Sequence, residues 1–338
     1  MTPIRAATCL AVIFLHFPLA GCDKETGGSK PDPDFTPESI AVYAPEDAGR
    51  VDLVMREFQS TSGIGYSFVS RDAAEPMSRA DVYFGESFVD LWEMAEADLL
   101  RPVAVSLNER VAAGQLTDPD RRFIPLATVP RAVVSNPTLV SDDEIRTITN
   151  FTSLADDRWK GRLCLSSSRV DGNRLLVAHL IRRFGVREAE LIVRHWKANV
   201  AASEIENDSA LLAAIAGGRC EIGILDTGVG NAGIWRNRIA IHQFAANSPL
   251  LLDIRGAGIS RHANNAEAAG KLLEWLLTAE GNSEFTGNWQ EAPLSRELQI
   301  AHGDSPEWIL SFESVATLSE LGFLLEEADL LVERTGYR

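Results

Sequence analysis

Asp47, Glu86 and Asp226 each stand directly after a segment that reads as a short β-strand, and this placement makes them the first candidates for chemistry. In open α/β sheets, ligands sit outside the carboxyl ends of the strands. Three carboxylates at such ends would line the mouth of a cleft and suit a hard cation or an amine. A second candidate is Ser166-Ser167-Ser168 with Gly172-Asn173, a hydroxyl-rich turn leading into a helix. Free amides and hydroxyls at a helix N-terminus hold anions, and plain N-capping would use the same residues.

Other chemistries find less support. Gly228-Val-Gly-Asn-Ala-Gly233 fits G-x-G-x-x-G, but only Ile234 to Arg238 separates it from the next apolar run, too short for a crossover helix. It reads as a loop at the cleft. The six histidines, His16, His179, His195, His242, His262 and His302, show neither metalloprotease spacing nor a G-x-S-x-G elbow. No nucleophile, base and orienting group can be named together, so the chain reads as a binder and not an enzyme, with no cofactor.

The elements that would position these residues alternate as in an α/β protein with a mainly parallel sheet. Strands are expected at Ile40–Tyr43, Tyr66–Val69, Asp81–Phe84, Arg162–Ser166, Glu221–Asp226 and 240–244. Helices are expected at Gly49–Gln59, Asn173–Phe184, Arg187–Asn199, Ser209–Ala216 and Asn265–Thr278, each with apolar residues at helical spacing. Gly217-Gly218 suits a left-handed cap. The two sets suggest two lobes with a cleft between them.

The N-terminus assigns a compartment. A short apolar run after Arg5 ends in Leu-Ala-Gly-Cys22, broken by His16 and Pro18 and too short for the roughly 20 residues of a membrane span. The box resembles the site at which bacterial lipoproteins are cleaved and acylated, so Cys22 is the expected lipid anchor and 1–21 the signal peptide. Asp23 resembles a signal for retention at the inner membrane. Residues 22–37, rich in Gly and Pro, read as a flexible tether. Cleavage removes 21 of the 338 residues, Arg5 among them and no carboxylate, which leaves 317 residues and takes the net charge from −16 to −17. That length suits one large or two medium domains, and the acidity argues against a nucleic-acid partner. Cys164 and Cys220 remain in an oxidising compartment, where they could pair or stay as buried thiols.

The order of segments resembles the periplasmic substrate-binding proteins of ABC importers, in their ferric-iron-binding branch. The segments are Ile40-Ala-Val-Tyr-Ala-Pro-Glu-Asp47, Ala80-Asp-Val-Tyr-Phe-Gly-Glu86, Val129-Pro-Arg-Ala-Val-Val-Ser-Asn-Pro137, Trp159-Lys-Gly-Arg162, Asn207 to Gly217, Gly256-Ala-Gly-Ile-Ser260, Leu273 to Gly281 and Arg334-Thr-Gly-Tyr-Arg338. The resemblance implies a type II two-lobed fold joined by crossing strands, lobe 1 being 38–130 plus 250–300 and lobe 2 being 131–249 plus 301–338. It implies permease and ATPase partners, a monomer on the periplasmic side of the inner membrane, and Fe3+ or another metal as cargo. Glu86 matches the family's glutamate, and Asp47 stands where its histidine would be. Asp226 and Thr227, with Ser166, Ser167 and Asn173, complete the expected ligand set. The family's tyrosines are missing: Thr227-Gly228 stands at the paired positions and Ser135 at another, and only Tyr43, Tyr66, Tyr83 and Tyr337 occur. The cargo is therefore a metal, a metal–anion complex or a small polar organic solute, or the chain is a sensor or accessory lipoprotein.

Overall fold

One strand, twelve residues long and buried at every position, runs through both halves of the sheet and sets the architecture. The computed structural model describes residues 39–46, 48–112, 116–201, 205–229, 238–242, 251–287, 291–296 and 318–337. Asp47, Cys22, the tether and Gly230 to Gly233 lie outside the described residues.

The first half of the chain supplies β1 (Ser39–Tyr43), α1 (Ala48–Ser62), β2 (Gly65–Phe68), α2 (Pro76–Arg79), β3 (Val82–Gly85), α3 (Phe88–Glu96), β4 (Leu100–Arg101), α4 (Val105–Glu109), the long β5 (Ile124–Ser135) and α5 (Asp142–Ile145). After it come β6 (Leu163–Cys164), α6 (Asp171–Phe184), α7 (Val186–Asn199), α8 (Asp208–Ala216), β7 (Ile222–Asp226) and β8 (Ala240–His242). The chain then adds β9 (Leu252–Ser260), α9 (Ala266–Leu276), α10 (Ala279–Thr286), β10 (Ala292–Pro293), α11 (Leu318–Gly322) and α12 (Leu325–Thr335).

The main sheet order is β2-β1-β3-β9-β5-β7-β6. Parallel pairing is confined to the flanks, β1 with β2 and β3 and β6 with β7, where helices make the crossovers. The centre is antiparallel, which corrects the expectation of a mainly parallel sheet. The physical reason lies in β5 and β9, which the alternation of apolar and polar residues does not reveal. β5 carries Pro125 and Pro130, and β9 carries Gly256 and Gly258, residues that argue against a central strand. Pro125 sits at an irregularity in the β5–β9 register. At Gly256 a Cβ would stand 2.4 Å from the Ile124 carbonyl oxygen, so only glycine lets the two strands approach.

From Ile124 to Pro130, β5 pairs with β9; from Arg131 to Ser135 it pairs with β7. One continuous strand thus serves two half-sheets. The helices pack as their patterns predict, with Val51, Val54, Met55 and Phe58 of α1 buried on one face and Ala189, Ile192, Val193 and Trp196 of α7 on another. A smaller core around Leu211, Ile215 and Leu225 fills the far edge. Among the described residues no helix is long and apolar enough to cross a membrane.

Cys164 on β6 and Cys220 before β7 are bonded, with Cα atoms 5.9 Å apart. The bridge ties down the edge strand and closes a loop of 56 residues. Loop-closure entropy of that size is worth about 4 kcal/mol in the unfolded-chain account, and measured values usually fall at about 2–4 kcal/mol. Reduction with dithiothreitol, or Cys164→Ser with Cys220→Ser, should lower the melting temperature by several degrees in a thermal scan. An unchanged melting temperature would show that the bridge contributes nothing to stability.

Candidate functional site

The site is built where β5 passes from one half-sheet to the other. Arg131 is the first β5 residue paired with β7, and its partner across the ladder is Asp226, the last residue of that strand. Register alone therefore puts a cation and an anion opposite each other. Arg131 Nη1 donates to Asp226 Oδ1 at 3.0 Å, Nη2 donates to Asn173 Oδ1 at 2.9 Å, and Nη2 lies 3.4 Å from Asp208 Oδ2. The Arg131 side chain is wholly buried. Burial alone would lower its pKa, but Asp226 and Asp208 more than offset this and hold it charged.

The serine turn closes around the same guanidinium. Ser166 Oγ donates to Asp208 Oδ1 at 2.5 Å, and Asn173 Nδ2 donates to Ser166 Oγ at 2.9 Å and to the Ser167 carbonyl at 2.9 Å. Tyr337 donates its hydroxyl to the Ser166 carbonyl at 2.7 Å. Ser166 and Asn173 are therefore spent on an internal network and do not stand open as an anion loop. Gly172 completes the packing, because a Cβ there would lie 1.6 Å from Arg131 Nη1. Ser167 faces elsewhere, lining a polar cavity of about 800 Å³ beside the end of α12.

The other half-sheet contributes a second guanidinium. Arg255 on β9 donates through Nη1 to the Glu86 carbonyl at 2.6 Å and to Glu86 Oε2, and through Nε to Glu291 Oε1 at 2.5 Å. Arg50 of α1 also pairs with Glu291, its Nη1 donating to Oε1 at 2.9 Å. Beside them Asp253 Oδ1 accepts the amides of Phe88, at 2.7 Å, and Ile254, at 2.8 Å. Burial, with Asp226 nearby, pushes the Asp253 carboxyl up to about 7.

The two halves touch at the start of α3 and α6. Ser87 Oγ, which caps α3 by accepting the Asp90 amide at 2.9 Å, donates to Asp171 Oδ2 at 2.7 Å. Arg174 of α6 reaches Glu93 of α3 at 2.8 Å and Asp329 of α12 at 2.9 Å. Burial, then Asp171 across the contact, pushes the Asp90 carboxyl up to about 7.

Of the residues expected at the site, Glu86 and Asp226 come to the two sides of the crossing strands, and each already holds an arginine. Thr227 follows Asp226 and is buried, its amide donating to the Pro130 carbonyl at 3.0 Å. Among the described residues no group of three His, Cys, Asp or Glu could hold a metal ion. The tyrosines offer no substitute. Tyr83 and Tyr337 are buried, which raises their phenol pKa and keeps them neutral, and Tyr66 donates to Asp52 at 2.7 Å. Sequence reasoning missed Arg131, Asp208, Asp253 and Arg255. For the β-strand residues a signal was present: a lone charge inside an otherwise apolar run must be paired when buried.

Gly172→Ala should displace Arg131 from its two aspartates and cost about 3 kcal/mol or more, measured by denaturant unfolding. A value near zero would mean that the guanidinium can relocate. Asp90 gives a pH dependence. Its folded pKa lies above the ordinary aspartate value, so its contribution to stability is complete at low pH and is lost as pH rises through about 7. The melting temperature should rise from pH 8.5 to 6, and Asp90→Asn should flatten that slope and be the more stable chain at pH 8.5. His179, pushed down to about 4 by burial, acts in the opposite sense only below its ordinary value.

Residues 77–225 match the family of bacterial extracellular solute-binding proteins. Iron uptake protein A1 of Synechocystis sp. is 22% identical over 355 residues, an alignment covering 99% of this chain and 97% of that protein. A Trichodesmium protein solved in complex with iron and citrate ligands superposes with a TM-score of 0.75 at 22% identity, over 89% of this chain and all of that one. The apo ferric ion-binding protein A of Pasteurella haemolytica gives 0.76 at 19% identity, over 89% of this chain and 98% of that one. These structures share the two-lobed architecture. With the crossing strands, they show that the chain shares the fold of two-lobed substrate-binding proteins.

Proposed function

We propose that this chain is the lipid-anchored solute-binding component of an ABC importer, held through Cys22 on the periplasmic side of the inner membrane, and that its cargo is iron or another metal carried as a complex with an anion. The observation that carries this reading is the convergence of Glu86 and Asp226, from opposite half-sheets, on arginines of the two strands that join them. Lobe 1 as 38–130 plus 250–300 and lobe 2 as 131–249 plus 301–338 fit this reading, since β5 changes partner at Arg131. Closure about such strands is a known hinge motion. Binding would be non-covalent, with permease and ATPase subunits as partners and the chain as a monomer.

Iron uptake protein A1 and the Trichodesmium protein in complex with iron and citrate support iron, and the missing tyrosinates direct it to a complexed form. A bare Fe3+ ion needs several anionic ligands. Here Glu86 and Asp226 are already paired with arginine, so an accompanying anion would have to supply the remaining oxygens. The same neutralisation favours a second reading, a sensor or accessory lipoprotein, or a binder of a small polar organic solute.

Calorimetry on the mature chain with ferric citrate and ferric nitrilotriacetate is the test. Binding should appear as heat and as a rise in melting temperature, about 2.7 kcal/mol of stabilisation at a hundredfold excess over Kd. If neither complex gives heat or a shift, the metal cargo is wrong and the second reading takes its place. For the anchor, Cys22→Ala should move the protein from the membrane fraction to the soluble periplasm; continued membrane association would remove lipidation as its cause.

A further inference from the structure

The Arg255 guanidinium is held against Glu86, the residue that the resemblance would assign to a cargo cation. Glu86, which resembles the metal-binding glutamate of the family, accepts from Nη1 with both its carbonyl and its carboxylate. Glu291 accepts from Nε. The third nitrogen, Nη2, makes no hydrogen bond among the described residues, and it points to the opposite half-sheet. A Cβ built on Gly228 would lie 4.0 Å from Nη2, so the turn after β7 faces this end of the guanidinium. Next to Gly228 stands Thr227, a residue only 7% exposed. The Arg255 side chain keeps 16% of its surface exposed, whereas Arg131 keeps none. Arg131 is structural; Arg255 is reachable.

Two donor hydrogens on a guanidinium that faces the turn after β7 form a receptor for an oxyanion. The carboxylates behind Arg255 orient it without exhausting it. Glu291 is itself shared with Arg50, which leaves that acid without a full charge to spend on Arg255. For a free cation the same place is hostile, because binding at Glu86 requires breaking its pair with Arg255 and leaves two like charges side by side.

We propose that Arg255 is the specificity-determining residue of the cleft, a built-in cation between Glu86 and the Thr227-Gly228 turn that takes a carboxylate or phosphate oxygen of the cargo and rejects an unchelated cation. This rests on the reading of the chain as a solute-binding protein and narrows its cargo to one engaged through its anionic part. Neutral side chains at position 255 lose the receptor, and lysine keeps the charge but not the two-pronged geometry.

Calorimetry on the mature chain with sodium citrate, sodium phosphate and manganese chloride separates the outcomes. The wild type should bind citrate or phosphate, more weakly as sodium chloride is raised, and should give no heat with manganese. Citrate without phosphate would assign a polycarboxylate, and phosphate without citrate a phosphate. Arg255→Gln should lower anion affinity at least tenfold, and Arg255→Lys should recover part of the anion affinity. The Lys variant preserves the charge the fold needs if the Gln variant does not fold. Equal anion affinity in the wild type and both variants, or manganese binding by a wild type that ignores both anions, would overturn the proposal. If ferric citrate binds the wild type and Arg255→Gln alike, the role of Arg255 fails and the solute-binding reading stands. If no probe binds at all, both fail.

Discussion

Burying a guanidinium is expensive, and the two strands that join the halves of this protein each carry one. An isolated buried charge costs far more than a lost hydrogen bond, and only close, well-oriented partners repay it. Arg131 therefore dictates much of what surrounds it. It needs Asp226 across the ladder, Asp208 at the start of α8 and Asn173 on α6, and it needs Gly172 to have no side chain. These residues come from four separate segments, so the pairing demands of one cation fix how β5, β7, α6 and α8 meet. Removing one partner would leave an uncompensated charge, which makes the joint rigid on the side of the second half-sheet.

Arg255 obeys the same rule with a different outcome. Its partners Glu86 and Glu291 lie in the first half-sheet, and Glu291 is shared with Arg50. The guanidinium is fixed at two of its nitrogens and open at the third. The Arg131 side chain keeps no exposed surface, whereas that of Arg255 is open at one edge. That difference, and not residue type, separates Arg131 from Arg255.

The amphipathic elements were legible in the sequence because they obey simple periods. α1, α6, α7, α8 and α9 fall within a few residues of their expected limits, and β1, β2, β3 and β7 likewise. The crossing strands β5 and β9 were not, since prolines and glycines oppose strand formation locally and are tolerated only at a register irregularity and at close backbone approaches. The resemblance to ferric-binding proteins found their segments by order where periodicity was silent. At the site, sequence position located Glu86 and Asp226 correctly at strand ends, yet it could not tell that each would be met by an arginine. That information lies in the register, which places Arg131 opposite Asp226 and Arg255 at the Glu86 end of β3.

The contact between the halves is made of acids as well as of pairs. Asp171 and Asp90 face each other around the Ser87 hydroxyl, while Glu93 is held by Arg174. Burial first, and then the neighbouring Asp171, raise the affinity of Asp90 for a proton, so the approach of α3 to α6 carries a cost that a bound proton relieves. The arginines on β5 and β9 attract across the same gap, through Asp226, which lies close enough to hold both Arg131 and Arg255 in their charged forms. Approach is thus favoured at the strands and opposed at the helices.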